Sequence, residues 1–401
     1  MNILILCNKS PYPPKEGGPI AMNTIIEGLI NAGHKVKVLA INSNKYGVAV
    51  KDIPVDYRRK TQIETVYINL AIKPVAAFLN LFTGKSYHVE RFISKAFEEK
   101  LIEILQNNRF DIVQLETLYI SPYIGTIRKY SNARIILRSH NIEYLIWKRV
   151  AEITQNPLKS WYLHHLSRTL KNYELGALNW YDGIATITKK DGDYFLNHGC
   201  QIPVIDIPFG INLENFKENP GVATEFPSLF HIGAMNWMPN QEGIKWFVEK
   251  VWPMVNHEFP NLKCYLAGRK MPDWLTNLKT DNLIVVGEVD DAFEFIYSKA
   301  IEIVPLFSGS GIRIKIIEAM AAERAVISTS IGAEGINIEN GKNILVADTP
   351  VEFFECIKKC VRDEIFCREL GQNARQLVLR DHSNQQLILK LEKFYRQIIS
   401  Q

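Results

Sequence analysis

The sequence predicts an α/β protein made of two doubly wound domains, each a parallel sheet covered by helices on both faces. Three observations carry this. The chain has 401 residues, more than the ~250–300 at which a single hydrophobic core stops growing. In both halves, short β-rich runs alternate with stretches whose apolar residues recur at helical spacing. The runs are nearly continuous in Val, Ile and Leu, as suits strands buried on both faces.

Taken in order, the strand candidates of the first half are NILILC at 2–7, KVKVLAI at 35–41, DIVQLE at 111–116, ARIILR at 133–138, GIATIT at 183–188 and PVIDIP at 203–208. Those of the second are LFHIG at 229–233, LKCYLAG at 262–268, LIVVG at 283–287, IEIVPLF at 301–307, AVISTS at 325–330 and NILVA at 343–347. MNTIIEGLINAGH at 22–34 and NQEGIKWFVEKVWPMVNHEF at 240–259 read as helices between them. The stretch 212–228 is polar and holds Pro220, Gly221 and Pro227, the composition of a boundary. The expected domains are therefore 1–211 and 212–382. A closing amphipathic helix within 383–401 is free to cross back onto the first domain.

Composition excludes other classes. Hydrophobic residues make up 47% and charged residues 22%, which rules out disorder, collagen and coiled coil. No run approaches ~18 uncharged apolar residues, so no membrane-spanning helix is expected. The opening apolar run, Ile3 to Cys7, is too short for a secretory signal. Six scattered cysteines without a C-x-x-C pair suit reduced thiols in a cytoplasmic protein. The net charge of +4 is uneven: residues 1–210 hold 26 Lys and Arg against 18 Asp and Glu, and residues 211–401 hold 21 against 25. A basic first half favours an anionic partner, or is solvated surface. Nucleic acid is not expected, because no reading motif or aromatic-interleaved basic stripe is present.

The most informative stretch is 301–336. A buried strand runs into a glycine-rich loop, Ser308–Gly311, and then a helix. Glycines let a backbone approach a ligand closely, and free N–H groups at a helix start favour an anion. Arg313 and Lys315 add two cations within a turn, so the segment is built for a pyrophosphate. It is neither a Walker A loop nor the dinucleotide fingerprint. Glu318 lies farther along the helix, where a carboxylate can accept ribose hydroxyls.

The run G-x-G-I-R-x-K-x-x-E-A-M-A, followed by a strand and T-x-x-G-x-E-G, resembles the retaining family-4 glycosyltransferases of the GT-B fold, two Rossmann-like domains facing a central cleft. SPYPPKEGGPIAMNTII near the front, RSHNIEYLIW, DIPFGINLENF, FHIGAMNWMPNQEGIKWFVEKVWP, AGRKMP and VVGEVDDAFEFIYSKAIEIVPLF resemble further segments in the same order. The resemblance implies a sugar donor carried on a nucleoside diphosphate and bound by the second domain. It implies a glycan or lipid-linked acceptor on the first domain and no metal or other cofactor. Carried over residue by residue, Gly17 and Gly18 approach the donor phosphate and transferred sugar, and His140 lies near the reacting sugar. Gly309, Ser310, Gly311, Arg313 and Lys315 form the diphosphate loop, Glu318 holds the ribose, and Glu334 lines the same pocket. Two departures stand out. Ser310 replaces the first glutamate of the family's E-x7-E motif, which contacts the donor sugar. Met235 or Asn236 stands where a basic residue is common, so Arg313 and Lys315 would supply the positive charge. The resemblance leaves room for a related sugar-nucleotide epimerase or hydrolase, and for a non-catalytic nucleotide-sugar-binding protein.

Other features read more plainly. His140 follows ARIILR at its carboxyl end, where ligands of open α/β sheets bind. Glu143 is positioned to orient His140 or to cap the next helix. Asp191 and Asp193, in D-G-D, and Asp290–Asp291 read as helix starts rather than metal ligands. Residues 57–100 mix basic and aromatic residues around an apolar core at 74–82, suited to an acceptor wall or to contact with an anionic membrane.

Overall fold

A computed structural model describes residues 1–401 apart from 15–16, 45–46, 217–220 and 310. The chain divides into two compact units, one comprising Met1–Pro208 and Leu387–Gln401, the other Phe209–Gln386.

Among the described residues the first unit has seven strands: β1 (Asn2–Cys7), β2 (Lys35–Ser43), β3 (Glu64–Ile68), β4 (Ile112–Glu116), β5 (Arg134–Ser139), β6 (Gly183–Thr186) and β7 (Val204–Asp206). They pair in parallel in the order β3-β2-β1-β4-β5-β6-β7. The winding direction reverses between β1 and β4, which makes their carboxyl ends the switch point of the sheet. The strand not expected from the sequence is β3. It lies at the edge of the sheet and only Ile68 is buried, so ETVYI lacks the continuous apolar run of a doubly covered strand.

Both faces of this sheet are covered. Leu4, Leu6, Val113, Leu115 and Leu137 pack with Phe97 and Leu101 of the helix Lys95–Asn107 on one side. Ile3, Ile5 and Val38 meet Met22, Ile25 and Leu29 of the helix Gly17–Asn31 on the other. The closing helix, Asn384–Ile399, buries Leu391, Phe394 and Tyr395 in this second layer. Its approach is close enough that a Cβ at Gly183 would lie 2.8 Å from the Phe394 ring.

Among its described residues the second unit has six strands: β8 (Glu225–Ile232), β9 (Lys263–Ala267), β10 (Leu283–Gly287), β11 (Lys299–Val304), β12 (Ala325–Ser328) and β13 (Leu345–Val346). Their order is β10-β9-β8-β11-β12-β13, again all parallel. Here the switch point lies between β8 and β11. Leu229, Leu266, Ile301, Ile303 and Ile327 form the core with Phe247, Trp252 and Phe353.

The acidic helix starts behave as helix starts. Thr188 caps the helix Lys189–Asn197 through the Asp191 N–H at 3.1 Å. Asp291 accepts from the Phe293 and Glu294 N–H groups at 2.7 and 3.1 Å. All six cysteines are free thiols.

Candidate functional site

The switch point of the second unit gathers the residues around the glycine loop. Gly309 and Gly311 have φ of +106° and +79°, a region that L side chains rarely adopt. A Cβ at Gly309 would also lie 2.9 Å from the Trp237 ring. The loop leads into the helix Ile314–Ala321, with Arg313 at its N-cap position and Lys315 in its first turn.

Lys315 is held by side chains from other elements. Its Nζ donates to Asn240 Oδ1 at 2.9 Å and lies 3.2 Å from His231 Nε2. His231, on β8, is fully buried and its Nδ1 lies 2.8 Å from the Ile303 carbonyl. A carbonyl only accepts, so Nδ1 carries the proton and Nε2 is left to accept from Lys315. Burial and the neighbouring Lys315 charge hold the His231 pKa well below the usual value, which keeps this ring neutral. Asn240 is fixed the same way, its Nδ2 donating to the Ala234 carbonyl at 2.9 Å. Among the described residues two partners, His231 and Asn240, hold the ammonium, which can make three hydrogen bonds. At Gly233, where β8 ends, a Cβ would collide with that ammonium.

The electrostatics at this point are unusual. Burial lowers the Lys315 pKa to about 8, against the opposing pull of Glu302 and Glu318. Glu302, on β11, is fully buried, and among the described residues its two carboxyl oxygens accept no hydrogen bond. Burial raises its pKa well above the ordinary carboxylate value, with Lys315 opposing that shift. Glu318, one turn beyond Lys315, also has its pKa raised by burial, partly offset by Lys315. The result is a cation at the end of a parallel sheet with weak countercharge, a setting that favours an incoming anion.

Arg313 is buried, and its Nη2 donates to the Ile331 carbonyl at 3.4 Å. The Glu334 N–H donates to that same carbonyl at 3.3 Å, so Arg313 and the loop carrying Glu334 meet there. A cavity of 330 Å³ opens at the carboxyl ends of β9 and β10, lined by Gly268, Lys270, Met271, Val285, Gly287 and Glu288. Gly268 abuts Gly233 so closely that a Cβ there would strike the Gly233 carbonyl, which ties the cavity wall to the strand end holding Lys315.

The first unit has a second polar centre, also at its switch point. His140 follows β5, and its Nε2 lies 2.6 Å from Glu116 Oε2 at the end of β4. Arg138, on β5, donates from Nη1 to the same oxygen at 3.3 Å and to the Ala21 carbonyl of the helix Gly17–Asn31 at 3.3 Å. Gln114 Nε2 donates to Glu116 Oε1 at 2.5 Å, and Tyr395 of the closing helix donates to Gln114 Oε1. Burial acts to raise the Glu116 pKa, but Arg138 and the hydrogen bond from His140 overcome it and hold the group ionised. Burial lowers the His140 pKa, with Arg138 and Lys9 adding to it and Glu116 opposing. A neutral ring that gives its Nε2 proton to Glu116 presents Nδ1 as an acceptor. Lys9 borders this centre from the end of β1. A Cβ at Gly18 would lie 2.9 Å from its Cε, and its charge acts on both His140 and Glu143.

The expected site residues thus fall into two groups, one in each unit. Gly18 and His140 flank the first centre, and Gly17 opens the helix beside it. Gly309, Gly311, Arg313, Lys315 and Glu318 form the second, with Glu334 reached through Ile331. Ser310 lies outside the described residues. Glu143 takes neither role expected of it. Glu116 orients His140, and Glu174 receives the Glu143 and Tyr144 N–H groups at 2.9 and 3.0 Å as the cap of the helix Glu143–Ile153. Glu143 instead accepts from the Tyr119 hydroxyl at 2.8 Å.

Sequence reasoning missed Glu116, Arg138, Gln114, His231 and Glu302. A signal was present: each is a polar residue inside a run read as a strand buried on both faces. Such a strand has no solvent side, so the group needs a partner or a function.

Comparisons with known proteins agree with this architecture. In structure the chain is similar to sucrose-phosphate synthase (tll1590) from Thermosynechococcus elongatus, with a TM-score of 0.68, 16% identity and 100% of both chains covered. It is similar to Anabaena Alr3699/HepE in complex with UDP-glucose, with a TM-score of 0.64, 13% identity, and 99% of this chain and 100% of that one covered. It is also similar to a mutant of S. aureus TarM in complex with Fondaparinux, alpha-GlcNAc-glycerol and UDP, with a TM-score of 0.65, 12% identity, and 98% and 100% covered. The fold is GT-B. Within it, residues 226–363 match the family model of the Glycosyl transferases group 1, a span that takes in β8 to β13 and the glycine loop. In sequence the chain is 24% identical over 405 residues to a Klebsiella pneumoniae chain described as an uncharacterized 44.6 kDa protein in cps region, covering 98% of this chain and 99% of that one. The GT-B architecture puts both polar centres at strand ends, the usual ligand positions of such sheets.

Proposed function

We propose that the protein is a glycosyltransferase that moves a sugar, of the hexosyl class, from a nucleotide-diphosphate sugar to a glycan or lipid-linked acceptor. The reading extends to retention at the anomeric carbon and to chemistry without a metal. One observation carries it. Lys315 is pinned by His231 and Asn240 at the start of a helix, at the sheet's switch point beside a glycine loop. That is a place for a diphosphate, and it lies within the segment matching the Glycosyl transferases group 1 model. The 330 Å³ cavity beside Gly268 has room for the nucleoside. The donor accordingly belongs to the second unit and the acceptor to the basic first unit, where His140 offers Nδ1 to a sugar hydroxyl.

On this reading the leaving diphosphate is stabilised by the helix start, Lys315 and Arg313, while positioning supplies the rest of the rate. The setting is the cytoplasmic assembly of polysaccharide or lipid-linked glycan. Thermal unfolding in the presence of UDP-, GDP-, ADP- and TDP-sugars tests the donor half. A ligand at a hundred times its Kd stabilises the native state by about 2.7 kcal/mol. We expect at least one nucleotide sugar to raise Tm by a few degrees, equally with and without a chelator. UDP-sugars are the first to try, because two of the structural relatives carry UDP. A flat response to all four would sink the proposal. Rapid donor turnover without an acceptor would point instead to a hydrolase or epimerase, and tight binding without transfer to a sugar-binding protein.

A further inference from the structure

Two side chains outside the phosphate-binding group lie against the glycine loop, and both come from the segment that follows β8. The Trp237 ring is one: a Cβ at Gly309 would stand 2.9 Å from it. Glu242 is the other, its Oε2 accepting from the Ser308 hydroxyl at 3.0 Å. They therefore touch consecutive residues of the loop from across the switch point between β8 and β11. Their own segment is held firmly. The Trp237 carbonyl accepts from the Asn240 and Gln241 N–H groups at 3.0 and 3.4 Å, and Gln241 Nε2 donates to the Met235 carbonyl at 2.6 Å. Asn240, which fixes Lys315, lies two residues before Glu242 on the helix Met238–Trp246, a rise of about 3 Å. A partly exposed indole or a surface carboxylate alone needs no explanation. Meeting on one glycine loop, next to a cation placed for a diphosphate, the two together do.

The chemistry of the pair indicates its ligand. Glu242 is exposed, and among the described residues Ser308 is the one side chain bonded to its carboxylate. A carboxylate accepts at about four lone-pair sites. With one taken by Ser308, Oε1 and the rest of Oε2 can accept two neighbouring hydroxyls, the pattern on the rim of a pyranose. The loop itself, Ser308–Gly311, carries no acid, so a carboxylate here has to come from another element. Trp237, 37% exposed, supplies the complementary surface: the C–H face of a pyranose is apolar and packs on the electron-rich face of an indole. In a nucleotide sugar, the sugar is joined directly to the diphosphate that Lys315 is placed to hold. We propose that Trp237 and Glu242 receive the transferred sugar and select a neutral hexose with free vicinal hydroxyls. A uronic acid would set its own carboxylate against Glu242, a like-charge contact that disfavours it. This inference rests on the donor reading above and extends it from the diphosphate to the sugar.

Calorimetry on the full chain tests it. The probes are UDP, GDP, ADP and TDP, their glucose conjugates, UDP-galactose, UDP-N-acetylglucosamine, GDP-mannose and UDP-glucuronate. In Glu242→Gln the Kd of the preferred neutral conjugate should rise by about ten- to a hundred-fold, the range for losing a hydrogen bond to a charged group. The Kd of its bare diphosphate should stay the same. Glutamine keeps an oxygen for Ser308, so Tm should not move, and the preference for UDP-glucose over UDP-glucuronate should narrow. Trp237→Leu should weaken the conjugate in the same selective way, whereas Trp237→Tyr, which keeps an aromatic face, should retain most of its binding. Unchanged conjugate binding in Glu242→Gln and Trp237→Leu would overturn the proposal. So would an equal loss for conjugate and bare diphosphate, the mark of residues that only support the loop, or binding of UDP-glucuronate by the natural chain as tight as that of UDP-glucose. Absence of binding by every diphosphate, bare or conjugated, has a different meaning: the donor reading itself fails, and this assignment falls with it.

Discussion

Replacement of Lys315 by alanine is expected to lower kcat/KM for the donor by about 10²–10³-fold, the effect of deleting one positioned donor from a charge-stabilising site. The reason lies in how the side chain is held. His231 and Asn240 fix its Nζ from two sides, so little ordering is left to be done when a diphosphate arrives. Burial also raises the pKa of Glu302 beside it, which weakens the countercharge that carboxyl can offer. Folding should survive, because alanine removes a charge that burial disfavours. Arg313→Ala should raise KM for the donor and lower kcat as well, if its guanidinium serves the same phosphates.

The same lysine sets an alkaline limit. With its pKa brought down to about 8 by burial, it is charged at pH 7 and becomes neutral as pH rises through that value. The diphosphate site therefore weakens on the alkaline side, and kcat/KM for the donor should fall above about pH 8 in the free enzyme. Lys315→Arg retains its charge at all accessible pH values and should abolish this limb, though at reduced activity because a planar fork does not reproduce a point charge. A profile flat through pH 9 in the natural protein, or one unchanged by the substitution, would remove Lys315 from the donor site.

The glycine loop was legible in the sequence because its parts are contiguous: Gly309, Gly311, Arg313, Lys315 and Glu318 lie within ten residues, and the chain's own geometry places them at a strand–helix junction. The strands were legible for a related reason. A parallel strand covered on both faces shows itself as an apolar run wherever it lies, whereas β3, at an edge with only Ile68 buried, does not. The side chains that hold the two centres were not legible as partners, because parallel topology brings them from far apart. Asn240 and His231 reach Lys315 from 75 and 84 residues away, and Tyr395 reaches Gln114 across 281. No local spacing encodes such a meeting. The sequence does show that Glu116, Arg138, His231 and Glu302 sit inside buried runs, and the switch-point rule says which strand ends converge.

The centre around His140 permits a test that separates chemistry from architecture. His140→Ala should reduce kcat by roughly 10²–10³-fold while leaving the donor-induced rise in Tm intact, since the donor loop lies in the other unit. A pH profile then asks whether Glu116 positions this ring. Burial lowers the His140 pKa, and the bond to Glu116 opposes that shift. As pH falls, protonation of Nδ1 removes the acceptor, so kcat should decline along an acid limb lying below the ordinary histidine value. Glu116→Gln removes the countercharge that holds this pKa up, so the limb should move to still lower pH. The same change leaves Arg138 buried without its carboxylate, and Tm should drop, consistent with the roughly 3–5 kcal/mol cost of breaking a buried pair. Tyr395→Phe leaves one Gln114 oxygen without its donor at a cost of about 1–3 kcal/mol, and should lower kcat less than Glu116→Gln. A purely structural Glu116 would lower Tm and leave the acid limb where it was. Movement of the limb to higher pH would contradict the direction set by the Glu116–His140 bond and show that another group titrates there.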